Sequence, residues 1–242
     1  MSVDRNTPIT GTAGVIADAA IRVMVSQGLD ALSVRNVATE AGVAPGTVQY
    51  QMGKRDDIIA KAFVRSLQRQ ESRALTQTDA TDFHAAFHGR LAELLPIGPV
   101  QREDSAVWVI VGAAASTREW LADLYDAEVT KFRARVSEGL EAAQRFGKLA
   151  RGLSPEQGAR LVTALVNGLT IDYLNAPVDS AKQLLADLAS GLALIVEPGS
   201  PKDEDGTGPG GAACPFILRK SSNPCQRGGT VPVTGLWTLI DG

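Results

Sequence analysis

A chain of 242 residues that is 44% hydrophobic and 21% charged has the composition of a soluble globular protein, with room for one large domain or for a small and a larger one. It contains no run of 18 apolar residues and no signal peptide, so we expect a cytoplasmic location and no membrane partner. The cysteines, Cys214 and Cys225, give no reason to infer an oxidising compartment. The net charge is −3, yet residues 1–70 carry 8 Lys and Arg against 6 Asp and Glu.

The first helical signals follow an N-terminal arm, residues 1–11, that we expect to be flexible. A helix is predicted from Thr12 to Gln27, ended by Gly28. Ser33 is a good N-cap for a short second helix, and Gly42 ends that helix. The spacing of three and four residues predicts a buried face for this helix, made of Val34, Val37, Ala38 and Ala41.

A second short helix is predicted from Pro45 to about Gln51. Proline suits the first helical position because the N–H that it lacks would have no partner there. Val48 and Met52 are four residues apart and are predicted to pack inward, and Gly53 ends the helix. Two short helices joined by a tight turn suit a helix-turn-helix, whose second helix lies in the major groove of DNA.

The segment GVAPGTVQYQMGKRDDII, which begins at Gly42, resembles the TetR family of one-component transcriptional regulators, whose usual form is close to GVSxGTLYxYFxSKEEL. The resemblance implies an all-α protein: an N-terminal three-helix helix-turn-helix DNA-binding domain, residues 12–57, and a larger helical ligand-binding and dimerisation domain, residues 58–197. The slightly basic first 70 residues are consistent with one small module that touches phosphate. The sequence departs from the family at Gln49, where a phosphate-binding Tyr is usual.

The motif also suggests which side chains would touch DNA. Arg35, Lys54 and Thr47 are predicted to contact phosphate, whereas Gln49 and Tyr50 lie nearest the base edges if the second helix enters the groove. A glutamine can pair with adenine through two hydrogen bonds. The full set predicted for the DNA-facing surface is Ser33, Arg35, Pro45, Gly46, Thr47, Gln49, Tyr50, Gln51 and Lys54. The expected partners are double-stranded operator DNA and a second copy of the chain.

Helical periodicity continues through the rest of the chain to about residue 197. The helices predicted there, in order, are Ile58 to about Thr76, Thr81 or Asp82 to Leu95 with a break at Pro96 to Pro99, Arg102 to Ser116, Glu119 to Phe146, Ser154 to Leu174, and Asp179 to about Val196. Residues 198–242 hold half of the 12 prolines and show no helical period. That composition is typical of a disordered or artefactual tail.

The segment ALVNGLTIDYL, Ala164–Leu174, resembles the penultimate helix of TetR-type bodies, often written ALVDGLxLxxL. In that family the last two helices of each subunit form a four-helix dimer interface. The resemblance therefore predicts a set of residues at the dimer interface, with the core of the monomer as the alternative for each. They are Leu161, Leu165, Leu169, Leu184, Leu188, Leu192 and Ile195.

The resemblance also places an unidentified small-molecule effector in the body. Candidate lining residues, with plain core packing as the alternative for each, are Phe63, Leu67, Phe83, Phe87, Leu91, Trp108, Trp120, Tyr125, Asn167 and Thr170. Lys and Arg are sparse on these apolar stripes. We therefore expect an uncharged or weakly charged effector with aromatic or aliphatic parts.

Other chemistry finds little support. His84 and His88 are four apart on a predicted helix and could share a metal ion, but no further ligand is evident, so no metal site is predicted. The glycine-rich stretch 206–211 has neither the preceding strand nor the following helix of a phosphate loop. We find no nucleophile elbow, Walker A loop or Cys/His pair, and expect neither cofactor nor enzymatic activity.

The predicted function is a homodimeric repressor that a small molecule releases from a palindromic operator. The alternative is a helical module that binds small molecules or proteins, or an enzyme, without a DNA-regulatory role.

Overall fold

The computed structural model of the protein describes residues 7–76, 83–177 and 180–197, where the regular structure is helical. The helices are α1 (Gly11–Gln27), α2 (Val34–Ala41), α3 (Pro45–Met52), α4 (Arg55–Thr76), α5 (Phe83–Ala92), α6 (Pro99–Ala115), α7 (Glu119–Arg145), α8 (Pro155–Leu174) and α9 (Ala181–Ala193). A short 3-10 turn, Leu29–Ala31, joins α1 to α2. The predicted all-α fold class is confirmed. Among the described helices, none combines the length and the apolar character needed to cross a membrane.

The helix ends in the N-terminal region follow the signals in the sequence. The Ser33 hydroxyl accepts a hydrogen bond from the N–H of Asn36 at 3.2 Å and caps α2. Gly42 ends α2 with a φ of +68°, a left-handed conformation that glycine adopts without steric cost. Pro45 begins α3. The two predicted short helices and the tight turn between them are therefore confirmed.

Helix α6 starts earlier than predicted. The prolines at 96 and 99 predict a break and a helix start near Arg102, whereas α6 begins at Pro99. Proline is compatible with that position because the first helical residue needs no partner for an N–H. Helix α4 also begins earlier than predicted, at Arg55 rather than Ile58, and α5 ends earlier, at Ala92 rather than Leu95. The predicted starts at Thr81 or Asp82 and at Asp179, most of the N-terminal arm and the tail 198–242 lie outside the described residues.

Residues 7–10, assigned from the sequence to a flexible arm, are held against α4. The N–H of Ile9 donates to the side-chain oxygen of Gln68 at 3.1 Å, and the carbonyl of Ile9 accepts from Arg65 at 3.1 Å. The side-chain amide of Gln68 also donates to the carbonyl of Thr7 at 3.0 Å. The segment that leads into α1 thus packs along the helix that leaves the helix-turn-helix.

Two hydrophobic clusters make up the interior. The head cluster combines the buried faces of α1 to α3 with Ile59 and Phe63 of α4, Val107 and Val111 of α6, and Leu121 of α7. The body cluster combines the buried faces of α5, α7, α8 and α9. The first half of α4 therefore belongs to the same core as the helix-turn-helix, and α6 touches it from the body side.

Candidate DNA-binding surface and ligand cavity

Helix α3 turns one side into the head cluster and the other to solvent. Val48 and Met52 are completely buried in that cluster. On the opposite side Gln49 is exposed and Tyr50 is 86% exposed. The other predicted DNA-facing residues of this helix are the exposed Pro45 and Gly46 and the half-buried Thr47 and Gln51. The helix is a short rod with an open polar face, a form that the major groove of B-DNA admits.

The charged and capping residues around α3 differ in what they do. Arg35 is exposed on α2, and Lys54 is exposed between α3 and α4. The neighbouring Arg55 instead donates to the carbonyl of Leu32 at 2.9 Å and fastens the start of α4 to the segment before α2. Ser33, predicted on the DNA-facing surface, uses its hydroxyl to cap α2. The exposed basic side chains that could meet phosphate are thus Arg35 and Lys54 among those predicted.

A cavity of about 130 Å³ lies in the body between α4, α5, α6, α7 and α8. Its walls are mainly apolar and aromatic, with several polar groups among them. The lining residues are Leu67, Gln70, Glu71, Ala74, Phe87, Arg90, Leu91, Leu94, Ser105, Trp108, Glu128, Phe132, Arg135, Val136, Gly139, Val166, Asn167 and Thr170. Apolar walls with a few placed polar groups are typical of small-molecule sites.

The structure separates the predicted ligand-pocket residues into two groups. It brings to the cavity wall Leu67, Phe87, Leu91, Trp108, Asn167 and Thr170. The others lie elsewhere: Phe63 is fully buried in the head cluster, Tyr125 stacks on it, Phe83 stacks on Phe87, and Trp120 is 36% exposed. Periodicity identifies the apolar side of a helix, but neighbouring turns on that side can face different clusters.

The charged lining of the cavity was missed. Glu71 and Arg135 form an ion pair at 3.4 Å, Glu128 pairs with Lys131 at 2.9 Å, and burial lowers the pKa of the Arg90 guanidinium. The sparseness of Lys and Arg on the apolar stripes therefore did not reveal the charged groups of this wall, Glu71, Arg90, Glu128 and Arg135. A signal was present, because Glu128, Phe132, Arg135 and Gly139 recur along α7 with the spacing of a single helix face.

Trp108 connects the cavity with the head cluster. Its indole N–H donates to the side-chain oxygen of Asn167 at 3.0 Å, and both residues line the cavity. Its ring centroid lies 5.8 Å from that of Phe63 and 4.7 Å from that of Tyr125. One side chain of α6 thus contacts both the candidate ligand site and the core that supports the helix-turn-helix.

An apolar stripe runs along the outer side of α8. Leu161 and Ile171 are each 50% exposed, and the small residues Ala164 and Gly168 between them are exposed as well. Their spacing of three, four and three residues places them on one side of the helix. We define Leu161, Ala164, Gly168 and Ile171 as the α8 stripe.

The leucines predicted for the dimer interface on the last helix lie inside the protomer. Those buried in the body cluster are Leu184, Leu188, Leu192 and Ile195, whereas Leu165 and Leu169 of α8 are half-buried beside them. The packing of α9 on α8 is close, since a Cβ added at Gly191 would lie 2.6 Å from a methyl carbon of Leu165. We therefore correct these four residues of the C-terminal segment from interface to core. Of the predicted set, Leu161 is the large apolar residue exposed to solvent.

Comparison with known families gives two matches that together cover most of the described chain. The profile described as "Bacterial regulatory proteins, tetR family" matches residues 16–62. The profile described as "BetI-type transcriptional repressor, C-terminal" matches residues 84–197. The first match contains α2 and α3, and the second contains most of the cavity wall and the α8 stripe.

Comparison with individual proteins also finds transcriptional regulators. The HTH-type transcriptional regulator PksA of Bacillus subtilis (strain 168) is 23% identical over 165 residues, which is 67% of this chain and 78% of PksA. The crystal structure of a TetR-family transcriptional regulator from Rhodococcus sp. superposes with a TM-score of 0.68 at 23% identity, covering 75% of this chain and 96% of that one. A transcriptional regulator from Saccharomonospora viridis, crystallised in complex with choline, superposes with a TM-score of 0.63 at 24% identity, covering 76% and 97%. At these identities the structural likeness establishes the shared fold.

Proposed function

Because this chain belongs to the TetR family of bacterial regulatory proteins and is a ligand-responsive, DNA-binding transcriptional repressor rather than an enzyme, we propose that it reads a palindromic operator through a pair of α3 helices. Members of the family bind operator DNA and dimerise. The proposed place of action is the bacterial cytoplasm, where the operator is accessible.

One observation carries the assignment of α3 to the groove. The helix buries Val48 and Met52 and leaves Gln49 and Tyr50 outward, so its free side is polar and aromatic while its other side is anchored in the head. Arg35, exposed on the preceding helix, and Lys54, exposed two residues after α3, supply cationic side chains for the phosphates that flank a groove. This surface is small, which agrees with an acidic protein whose first 70 residues alone carry a slight positive excess.

The test begins with selection of bound sequences from random double-stranded DNA by the purified full chain. We expect an enriched site with two-fold symmetry, and footprinting should show protection of both half-sites, since symmetric dimers of helix-turn-helix proteins bind half-sites about one helical turn apart. Enrichment of no sequence at low ionic strength would contradict the proposal.

Gln49→Ala and Arg35→Ala should weaken DNA binding in different ways. Loss of a base-contacting glutamine should remove about 1–3 kcal/mol of discrimination at one position of each half-site while leaving binding to unrelated DNA unchanged. Loss of a phosphate-contacting arginine should weaken binding to all sequences alike and lower the slope of log affinity against log salt by about one. Titration of both variants on the selected site and on scrambled DNA at several salt concentrations measures both effects.

The matched control for these variants is Arg22→Ala, because Arg22 is an exposed arginine of the head that lies on α1 and already pairs with Glu40 at 2.6 Å. It should bind like the wild-type protein. Wild-type behaviour of both Gln49→Ala and Arg35→Ala would show that another surface contacts DNA.

We propose that the second copy of the chain docks on the α8 stripe. Two antiparallel α8 helices that meet at Ala164 and Gly168 can approach closely because these residues are small, while Leu161 and Ile171 bury their exposed halves against the partner. The symmetric arrangement uses the same patch twice, as dimers with two-fold symmetry do.

The effector is proposed to occupy the cavity between α4 and α8. Aromatic walls at Trp108, Phe87 and Phe132, together with the buried carboxylate of Glu128, suit a small organic molecule with an apolar body and a single charged or polar head. Choline in the Saccharomonospora viridis structure is a ligand of that type, so choline is the first compound to test.

Filling the cavity should strongly reduce the release from DNA by the effector without changing the affinity of the protein for the operator. Leu91 is buried and lines the cavity, so Leu91→Trp places added bulk into a space of about 130 Å³. We expect operator binding within about twofold of wild type and at least a tenfold loss of sensitivity to any compound that releases the wild-type protein. Leu194→Trp, at a site that is 80% exposed, is the matched control. Unchanged release from Leu91→Trp would place the effector elsewhere.

A further inference from the structure

Four arginine and carboxylate groups form a continuous series of ion pairs from α1, across α4, to α6. Asp18 of α1 binds Arg65 at 2.9 Å and Arg69 at 3.4 Å. Arg69 in turn binds Asp104 of α6 at 3.2 Å. We call Asp18, Arg65, Arg69 and Asp104 the ion-pair ladder.

Further charged groups surround the ladder at its body end. Arg73, one turn after Arg69, binds Asp104 at 2.8 Å and Glu93 at 3.2 Å. Glu103, beside Asp104 on α6, binds Arg69 at 3.0 Å. Asp104 itself is completely buried. The buried carboxylate of Asp104 is therefore bound by two arginines of α4, each of which also binds a second carboxylate, Glu103 or Glu93.

A buried ion pair contributes little net stability, because the free energy lost on removing both charges from water offsets their attraction. The buried ion pairs of Asp104 instead restrict the distance between α4 and α6. Asp104 keeps favourable contacts with Arg69 and Arg73 only within a narrow range of separations between α4 and α6. Because Arg69 also binds Asp18, the position of the first helix of the head is restricted relative to α4 as well.

The ladder lies beside the cavity on the same two helices. Gln70 and Ala74 of α4 line the cavity and directly follow in sequence the two arginines that bind Asp104, Arg69 and Arg73. Ser105 of α6 lines it too and directly follows Asp104. A change in the separation of α4 and α6 at the cavity must therefore change the contacts of Asp104.

We infer that Asp104, acting through Arg69 and Asp18, is a positioning residue that holds the head at the angle required for both heads of a dimer to reach their half-sites at once. This inference rests on the proposed function, since it assumes a dimer on a two-half-site operator. Asp104 touches no DNA. Its loss should leave the affinity of a single head unchanged and weaken only the simultaneous binding of two.

The experiment compares full-length wild type and Asp104→Asn on two DNA duplexes, one with the complete selected operator and one with a single half-site. Asp104→Asn should lose about tenfold in affinity for the complete operator and remain within about twofold on the half-site. Asp30→Asn is the matched control, because it removes the exposed head-to-body pair with Arg118 at 3.0 Å, and exposed pairs contribute little. It should match wild type on both duplexes.

Two further measurements separate positioning from general damage to the fold. Asp18→Asn should have the same effect as Asp104→Asn, and the double variant should be no weaker than either single variant, since all three break one series. Burial raises the pKa of Asp104 to about 6, so wild type should approach the Asp104→Asn behaviour between pH 7.5 and 5.5, while the variant changes less over that range. The charged groups facing it are those of Arg69, Arg73 and Glu103, with Glu93 and Asp18 behind the arginines.

The outcomes are distinct. Equal losses on both duplexes, no loss on either, or additive losses in the double variant would overturn the inference. A wild-type protein that binds the complete operator no better than the half-site would instead overturn the proposed function. Circular dichroism and sedimentation of each variant verify that folding and dimerisation are intact.

Discussion

Ile171→Glu is expected to convert the protein to a monomer in solution and to lower its affinity for the complete operator by about 100-fold or more. Ile171 is 50% exposed on the α8 stripe, where the proposed partner would cover it. In a symmetric interface the substitution occurs twice, so two carboxylates would be moved from water into an apolar contact without cationic partners. Each head would then bind DNA alone, without the gain in affinity that comes from two linked heads binding both half-sites at once.

Sedimentation velocity and operator titration at the same protein concentration measure this effect. Val100→Glu is the matched control, since Val100 is 44% exposed on α6 and lies off the α8 stripe. It should remain a dimer with wild-type affinity. A dimeric Ile171→Glu protein at micromolar concentration would show that the partner docks on a different face.

Phe63→Ala is expected to lower the free energy of unfolding by about 3–5 kcal/mol. Phe63 is fully buried in the head cluster, with its ring centroid 5.8 Å from that of Trp108 and 6.4 Å from that of Tyr125. Truncation leaves a space that α4, α6 and α7 all border, so no single helix can move to fill it. The melting temperature should fall by about 10 °C.

Urea denaturation of both proteins at one fixed concentration measures the change, because the stability of a dimer depends on concentration. Phe146→Ala is the control: Phe146 is 53% exposed after α7, and its loss should change the free energy by less than about 0.5 kcal/mol. A change of less than about 1 kcal/mol would show that Phe63 does not support the head cluster as its burial indicates.

Local chemistry explains why so much of the helix-turn-helix could be predicted. Ser33, Gly42 and Pro45 act within one or two turns of their own position, through a cap, a positive φ and a missing N–H. The inward side of α3 follows from the spacing of Val48 and Met52 alone. The TetR-type motif then identified the family, which the matches to both halves of the chain bear out.

Contacts between distant parts of the chain decided the rest. Periodicity shows that α9 is amphipathic, but its leucines could equally face the protomer's own core or a partner, and only the position of α5 and α8 assigns them to the core. Phe63 and Leu67 lie one turn apart on α4 and both belong to the head cluster, yet of the two Leu67 alone also lines the cavity. The charges of the cavity and of the ion-pair ladder come from separate helices.

The sequence by itself therefore determined most of the helices, the helix-turn-helix motif and the family, because hydrogen bonds and side-chain spacing within a few residues specify them. The tertiary structure decided which apolar residues form core, cavity or outer stripe, and that Asp104 meets Arg69 and Arg73. The physical reason is that burial and ion pairing depend on the distance between groups 30 or more residues apart, as the pairing of Asp104 with Arg69 shows, and no local pattern encodes that distance.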